Sequence, residues 1–379
     1  MRVPILKIPY TKEEKDNIKN GIDKIIDSGY FTMGDKVKEF EGKFAKYVGT
    51  KYAIAVNSGT SALEIIFRSL KIEGKDIIIP TNTFMATPLA AIHAGAKVKF
   101  CDINLTDLSI DYEDLKNKIT KNTKAIVLVH IAGIISKDYE KIKKLALKKN
   151  IFLIEDAAHA HGSKYKKKFA GNLGIAGAFS FYPTKIINAA EGGMITTNNY
   201  KIFKTALILR EHGKTNKLIN SHSELGYNWR FSELHALLGL QQLNKLKLIV
   251  DERNKIAKYY DDNLKDSKNI AKLKLSKKNY CSYYKYVIFV NRNKKNKIKK
   301  LMKTKFNIFM PGEVYDYMCH EQPVFMKYKD KIINFKENLN NSNILKKVHL
   351  CLPLYRGLKK KNLDYIIKSI NKTIEILEK

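Results

Sequence analysis

Lys185 closes the run Ala178-Phe-Ser-Phe-Tyr-Pro-Thr-Lys185. The run reads as a strand ending in a polar serine, then a proline turn that presents one lysine. An amine held on a short loop beside a sheet loses water. That loss disfavours the ammonium form and yields a nucleophile suited to Schiff-base chemistry with an aldehyde. Taken alone, Lys185 would be one lysine among many. A second element is Ile151-Phe-Leu-Ile-Glu-Asp156-Ala-Ala-His159, a buried strand ending in two carboxylates. An acid at the carboxyl end of a parallel strand points into the crevice where open α/β sheets bind ligands. Once buried, it needs a cationic partner or strong hydrogen bonds. A protonated pyridine nitrogen would serve, while a helix cap or structural ion pair is the plainer alternative. A third element is Ala53-Ile-Ala-Val-Asn-Ser58-Gly59-Thr60-Ser61, with a helical pattern after it. Small residues at a strand-to-helix turn let N–H groups and hydroxyls cradle a phosphate at the positive helix end. Neither G-x-x-x-x-G-K-[ST] nor G-x-G-x-x-G occurs, so neither a P-loop nor a dinucleotide fingerprint is indicated.

A phosphate cradle, an acid for a ring nitrogen and a lysine for an aldehyde are the anchors that pyridoxal 5′-phosphate requires. At this point the sequence resembles the DegT/DnrJ/StrS sugar aminotransferases over essentially the whole chain. The resemblance rests on Asn57-Ser-Gly-Thr-Ser-Ala-Leu63, Pro80-Thr-Asn-Thr-Phe-Met-Ala-Thr87, Glu155-Asp-Ala-Ala-His-Ala-His-Gly162 and Phe179-Ser-Phe-Tyr-Pro-Thr-Lys185, together with Glu191-Gly-Gly193 and Gly226-Tyr-Asn-Trp-Arg230. Their order and spacing together are specific. It implies a fold-type I, aspartate aminotransferase-like architecture. It implies that Lys185 would hold the cofactor covalently and then shuttle the proton, and that Asp156 would pair with the pyridinium nitrogen. Thr60, Ser61 and Ser180 would bind the phosphate, and Phe84 would stack on the ring. His159 falls where many relatives carry Gln and would donate to the cofactor's phenolic oxygen. Asn228 would reach across a homodimer interface to the neighbouring subunit's phosphate. Arg230 and His320 are the candidate substrate residues. The implied reaction moves an amino group, from glutamate, to the ketone of a nucleotide-linked keto-sugar in surface-polysaccharide synthesis.

The chain departs from the family's pattern near the substrate. Ile186 follows the lysine where relatives usually show Asn, and Ala132 stands where many sugar enzymes have an aromatic. The tail motif is replaced by Gly312-Glu-Val-Tyr-Asp-Tyr-Met-Cys-His-Glu-Gln-Pro323. These changes leave room for a smaller phosphorylated ketone such as dihydroxyacetone phosphate. A dehydratase of the same family is a further alternative, but those relatives have His where this chain has Lys185.

The elements that must hold these residues follow from apolar patterning. Candidate strands are Tyr52–Val56, Asp76–Pro80, Val98–Cys101, Ala125–His130, Ile151–Glu155, Ala178–Phe181 and Met194–Thr197. They are short and apolar on both faces, as strands covered by helices on both sides are. Helical patterns such as Ser61–Leu70 and Asp138–Lys149 alternate with them, which implies a mostly parallel α/β sheet. A long helical pattern, Ser232 to Leu264, leads into a region with a strand over Tyr283–Val290 and an amphipathic helix over Lys297–Lys305. This predicts a large cofactor-binding unit over 20–245 and a smaller α+β unit over 246–379, with 1–19 packing on it.

Composition sets the bounds. The 379 residues include 44 % hydrophobic side chains, enough for a real core, and suggest about two domains. The four cysteines are far apart with no C-x-x-C pair, which fits a reducing cytoplasm. His159 and His161 have no third ligand in view, so no metal site is expected. No secretory leader and no apolar run long enough for a bilayer is read. The net charge of +33 invites a DNA-binding regulator as an alternative. Lysines are, however, spread in short groups without a basic arm or helix-turn-helix. They read as a solvated surface that steers anionic substrates.

Overall fold

The computed structural model describes residues 1–216, 219–335 and 337–378. Seven strands form the central sheet: β1 (Tyr52–Val56), β2 (Asp76–Pro80), β3 (Lys97–Cys101), β4 (Thr123–Val129), β5 (Phe152–Asp156), β6 (Ala176–Ser180) and β7 (Gly193–Thr197). Their spatial order is β1-β7-β6-β5-β4-β2-β3. The pairs within β6-β5-β4-β2-β3 are parallel. β7 runs antiparallel to both of its neighbours.

Period-2 side-chain alternation splits each strand between two cores. Ile77 and Ile79 enter one apolar cluster, and Ile78 between them enters the other. Each such isoleucine is fully buried, an environment that contributes about 1.5–3 kcal/mol per side chain. Helices on both faces close the layers, among them α1 (Lys12–Ser28), α2 (Asp35–Val48), α3 (Gly59–Ser69) and α4 (Ala86–His93).

The helical pattern expected over Ser232–Leu264 is two helices, α5 (Glu233–Asn244) and α6 (Leu246–Asn263). Lys245 between them leaves helical geometry at φ −110° and ψ 8°. Its ammonium is held by Glu14 at 2.7 Å and lies over the Tyr10 ring, so the break is where the N-terminal segment docks. A second sheet carries β8 (Ile270–Lys272), β9 (Tyr286–Val290) and β10 (His349–Leu352), all antiparallel. β9 starts three residues later than the expected Tyr283. Tyr283 has φ 50°, a left-handed conformation that no strand continues through. This third core takes in Val3, Ile256, Tyr260, Ile288, Leu350 and Ile370, and Val3 bridges to Ile308 in parallel. Among the described residues, no helix is long and apolar enough to cross a membrane.

Candidate active site

The carboxyl ends of the parallel strands open onto one cavity of about 430 Å³. Val129 at the end of β4, Asp156 at the end of β5 and Ser180 at the end of β6 all line it. So do Ser58, the N-cap of α3, and Gly59 and Thr60, its first two residues. Ser58 is the N-cap of α3, its hydroxyl accepting from the Ser61 N–H at 3.0 Å. The first N–H groups of a helix have no intrahelical partner and favour an anion. Two glycines are required for this turn to lie where it does. A Cβ on Gly59 would sit 2.9 Å from the Ser180 Cβ, and one on Gly193 would sit 2.2 Å from the Ser58 carbonyl oxygen.

Asp156 is buried and its carboxylate is held at both oxygens. Oδ2 accepts from the Thr87 hydroxyl at 2.7 Å and Oδ1 accepts from the Ala158 N–H at 3.1 Å. Thr87 in turn shares a hydrogen bond with Thr83 at 2.8 Å. Lys185 is half-buried on the turn after β6, its N–H donating to the Tyr182 carbonyl at 2.9 Å. Burial lowers its amine to about 8, Asp156 draws it upward and the Lys285 ammonium pushes it down. A shift of this size at a lysine in a cleft marks a candidate nucleophile.

Two tyrosines from the C-terminal part of the chain form the opposite wall. The Tyr284 ring stacks on His159 at 4.0 Å and 22°, with the Lys185 Nζ 5.1 Å from its centroid. Its hydroxyl pairs with Thr184 at 3.1 Å. Tyr315 meets His159 Nε2 through its hydroxyl at 3.4 Å and lies 6.0 Å from Phe84. Burial, then the Lys185 and Lys285 ammonium groups, hold His159 well below the ordinary histidine range, so its ring is neutral.

Of the residues singled out from sequence, Lys185, Asp156, Thr60, Phe84, His159 and Ser180 line this one cavity. Phe84 is 61 % exposed, an open ring at the rim. Four others lie outside the lining. Ser61 turns its hydroxyl onto Asn57 at 2.7 Å and Ser58 at 2.8 Å, inside the cap of α3. Asn228 is exposed, its backbone bridged to Glu211. Arg230 pairs with Glu211 at 2.9 Å. His320 meets the Thr81 hydroxyl at 2.6 Å, packed beside Phe100. Sequence reasoning missed Thr87, Tyr284 and Tyr315 as parts of the site. Thr87 ends one of the quoted motifs. Tyr284 was hidden in a tyrosine-rich run that reads as strand, and Tyr315 in the altered tail segment.

The DegT/DnrJ/EryC1/StrS aminotransferase family model matches residues 12–371. A UDP-4-amino-4,6-dideoxy-N-acetyl-beta-L-altrosamine transaminase of Campylobacter jejuni is 31 % identical over 95 % of this chain and 95 % of its own. A GDP-4-keto-6-deoxy-D-mannose 3-dehydratase of Escherichia coli is 33 % identical over 69 % of this chain and 74 % of its own. Among solved structures, Helicobacter pylori PseC, an aminotransferase involved in the biosynthesis of pseudoaminic acid, superposes with a TM-score of 0.90. It is 27 % identical, covering 99 % of this chain and 100 % of that one. With its fold and nearly its whole length matched, the chain belongs to the DegT/DnrJ/EryC1/StrS aminotransferase family.

Proposed function

We propose that this chain is a pyridoxal 5′-phosphate-dependent aminotransferase that transfers an amino group from glutamate to the ketone of a nucleotide-linked keto-sugar. The observation that carries the reading is the half-buried amine of Lys185, lowered to about 8, in one cavity with a fixed carboxylate and a helix N-terminus. The residues fit the cofactor. The α3 turn is free of any Cβ at Gly59, and His159 Nδ1 is buried without a partner among the described residues. When bound, the cofactor supplies an aldehyde and an electron-withdrawing ring.

The N–H groups at the start of α3, with the Thr60 and Ser180 hydroxyls, hold the phosphate. Asp156, fixed by Thr87, receives the protonated ring nitrogen. Phe84, open at the rim, would be the residue to stack on the ring. Lys185 would be the nucleophile toward the aldehyde and would then carry the proton to and from the reacting substrate carbon. In this reading residues 20–245 carry the cofactor. Residues 246–379, with 1–19, form the smaller unit that closes the cavity through Tyr284 and Tyr315. The enzyme works in the cytoplasm. Lys185 supports transamination over dehydration, since the family resemblance implies His at this position in a dehydratase.

The test incubates pyridoxamine-phosphate-loaded protein with a panel of keto-sugar nucleotides and small ketone phosphates. A keto-sugar nucleotide is expected to restore the absorbance of the lysine-linked cofactor. Restoration by dihydroxyacetone phosphate alone would replace the sugar acceptor with a small one, and no restoration by any ketone would remove the activity.

Asn228 lies on the surface outside its own chain's cavity, which supports a homodimer in which it serves the neighbouring site. A two-fold interface presents the same patch from both chains. Mixing two inactive proteins, Lys185→Ala and Asn228→Asp, should therefore give mixed dimers in which one site carries both lesions and the other neither. Activity should return to about half per mixed dimer by that symmetry count. If subunits exchange and none returns, Asn228 acts within its own chain.

A further inference from the structure

We propose that the Tyr315 hydroxyl fixes the tautomer of His159, so that the Nδ1 proton stands at the cavity wall as a donor for a negatively charged ligand oxygen. The Tyr315 hydroxyl lies 3.4 Å from Nε2, the one hydrogen-bond partner it has among the described residues. His159 Nδ1 is buried and has none. A neutral imidazole carries one proton on one nitrogen and a lone pair on the other, and its neighbours decide which.

Two arrangements fit the heavy atoms. In the first, Tyr315 donates to Nε2 and the proton sits on Nδ1. In the second, Nε2–H donates to the phenol oxygen, leaving both the phenol O–H and the Nδ1 lone pair without partners. The first leaves one orphan donor and the second leaves an orphan donor and an orphan acceptor, each costly when buried. The phenol is also the stronger acid and the imidazole nitrogen the better acceptor. Both groups keep their neutral forms, since burial raises the Tyr315 phenol well above its ordinary range and lowers His159 well below its own. Tyr284, stacked on the ring at 4.0 Å, opposes the ring flip that would put carbons where Nδ1 and Nε2 stand.

The cavity that His159 lines carries charge of both signs, the Asp156 and Glu191 side chains standing with Lys185. Lys285 lies 5.3 Å from the Tyr284 centroid with no ion pair or side-chain hydrogen bond among the described residues. A phenolate-type oxygen suits the Nδ1 donor, and here the inference rests on the cofactor reading above. Tyr315 is a positioning residue, acting through His159.

The test is nitrogen-15 magnetic resonance of the histidine rings in the full-length protein, with and without pyridoxal 5′-phosphate, the His159 signal being identified by its loss in His159→Gln. The expected result is a neutral ring protonated on Nδ1, reverting to Nε2 in Tyr315→Phe. A wild-type ring protonated on Nε2 overturns the inference whether or not any variant folds. Affinity for pyridoxal 5′-phosphate gives a second readout. Tyr315→Phe should weaken it about tenfold in the wild-type background, the scale of one hydrogen bond to a charged group. In a His159→Gln background, whose amide N–H needs no tautomer partner, the same change should cost little. Equal losses in both backgrounds would make Tyr315 a packing residue. Protein with the expected tautomer that fails to bind the cofactor would overturn the cofactor reading and leave the tautomer assignment standing.

Discussion

Lys185→Ala is expected to lose turnover by at least about 10³-fold while still binding pyridoxal 5′-phosphate, because in the proposed reading the change removes both the nucleophile and the proton carrier. The α3 turn, Asp156 and Phe84 are untouched by the change, so cofactor binding persists without a borohydride-reducible link to the protein. The half-buried amine predicts a pH signature in the wild type. Only the neutral amine attacks, so the rate of forming that link should rise about tenfold per pH unit below the pKa. It should level off above about 8, where burial has placed the amine. A lysine at its ordinary 10.5 would keep accelerating through pH 10. Trapping with borohydride across pH 6–10 in the wild type, with Lys185→Ala as the blank, reads both. Full activity of Lys185→Ala, or a link formed at another lysine, would move the chemistry elsewhere.

The second large effect is expected at Asp156. Asp156→Asn should keep the fold and lose both half-reactions by about 10²–10³-fold, the scale of removing one pre-aimed electrostatic partner. The carboxylate faces two donors, the Thr87 hydroxyl and the Ala158 N–H. An amide can satisfy both, since its oxygen accepts from Ala158 and its N–H₂ donates to Thr87 while Thr87 donates onward to Thr83. Thermal unfolding should therefore change little. What the amide cannot supply is the negative charge that keeps a ring nitrogen protonated. Near-normal rates for both half-reactions would make Asp156 a structural residue.

Much of this arrangement was legible because buried strands leave an unambiguous pattern. Tyr52–Val56 and Asp76–Pro80 have in the structure the limits that their apolar runs predict, and the limits of the other five shift by no more than two residues. The residues at the strand ends were legible for the same reason, since each is fixed by the strand before it. The far wall was not. Tyr284 reaches His159 only because Tyr283 turns left-handed, and a tyrosine run carries no periodic sign of that turn. The break at Lys245 was also hidden, because it depends on Glu14 and Tyr10, more than 200 residues away in sequence. Contacts of that separation leave no local pattern to read.

The bridge between Val3 and Ile308 also bears on how the polypeptide matures during translation. Ribosomes add about 5–20 residues per second, so roughly 15–60 seconds separate the synthesis of the two partners. All seven strands of the central sheet lie between them and leave the exit tunnel before Ile308 does. The sheet can thus close around its own cores while Val3 still waits, an unpaired apolar side chain on the nascent chain. The third core is then the last to be sealed, and a chaperone that shields the segment around Val3 would have its whole use in that interval.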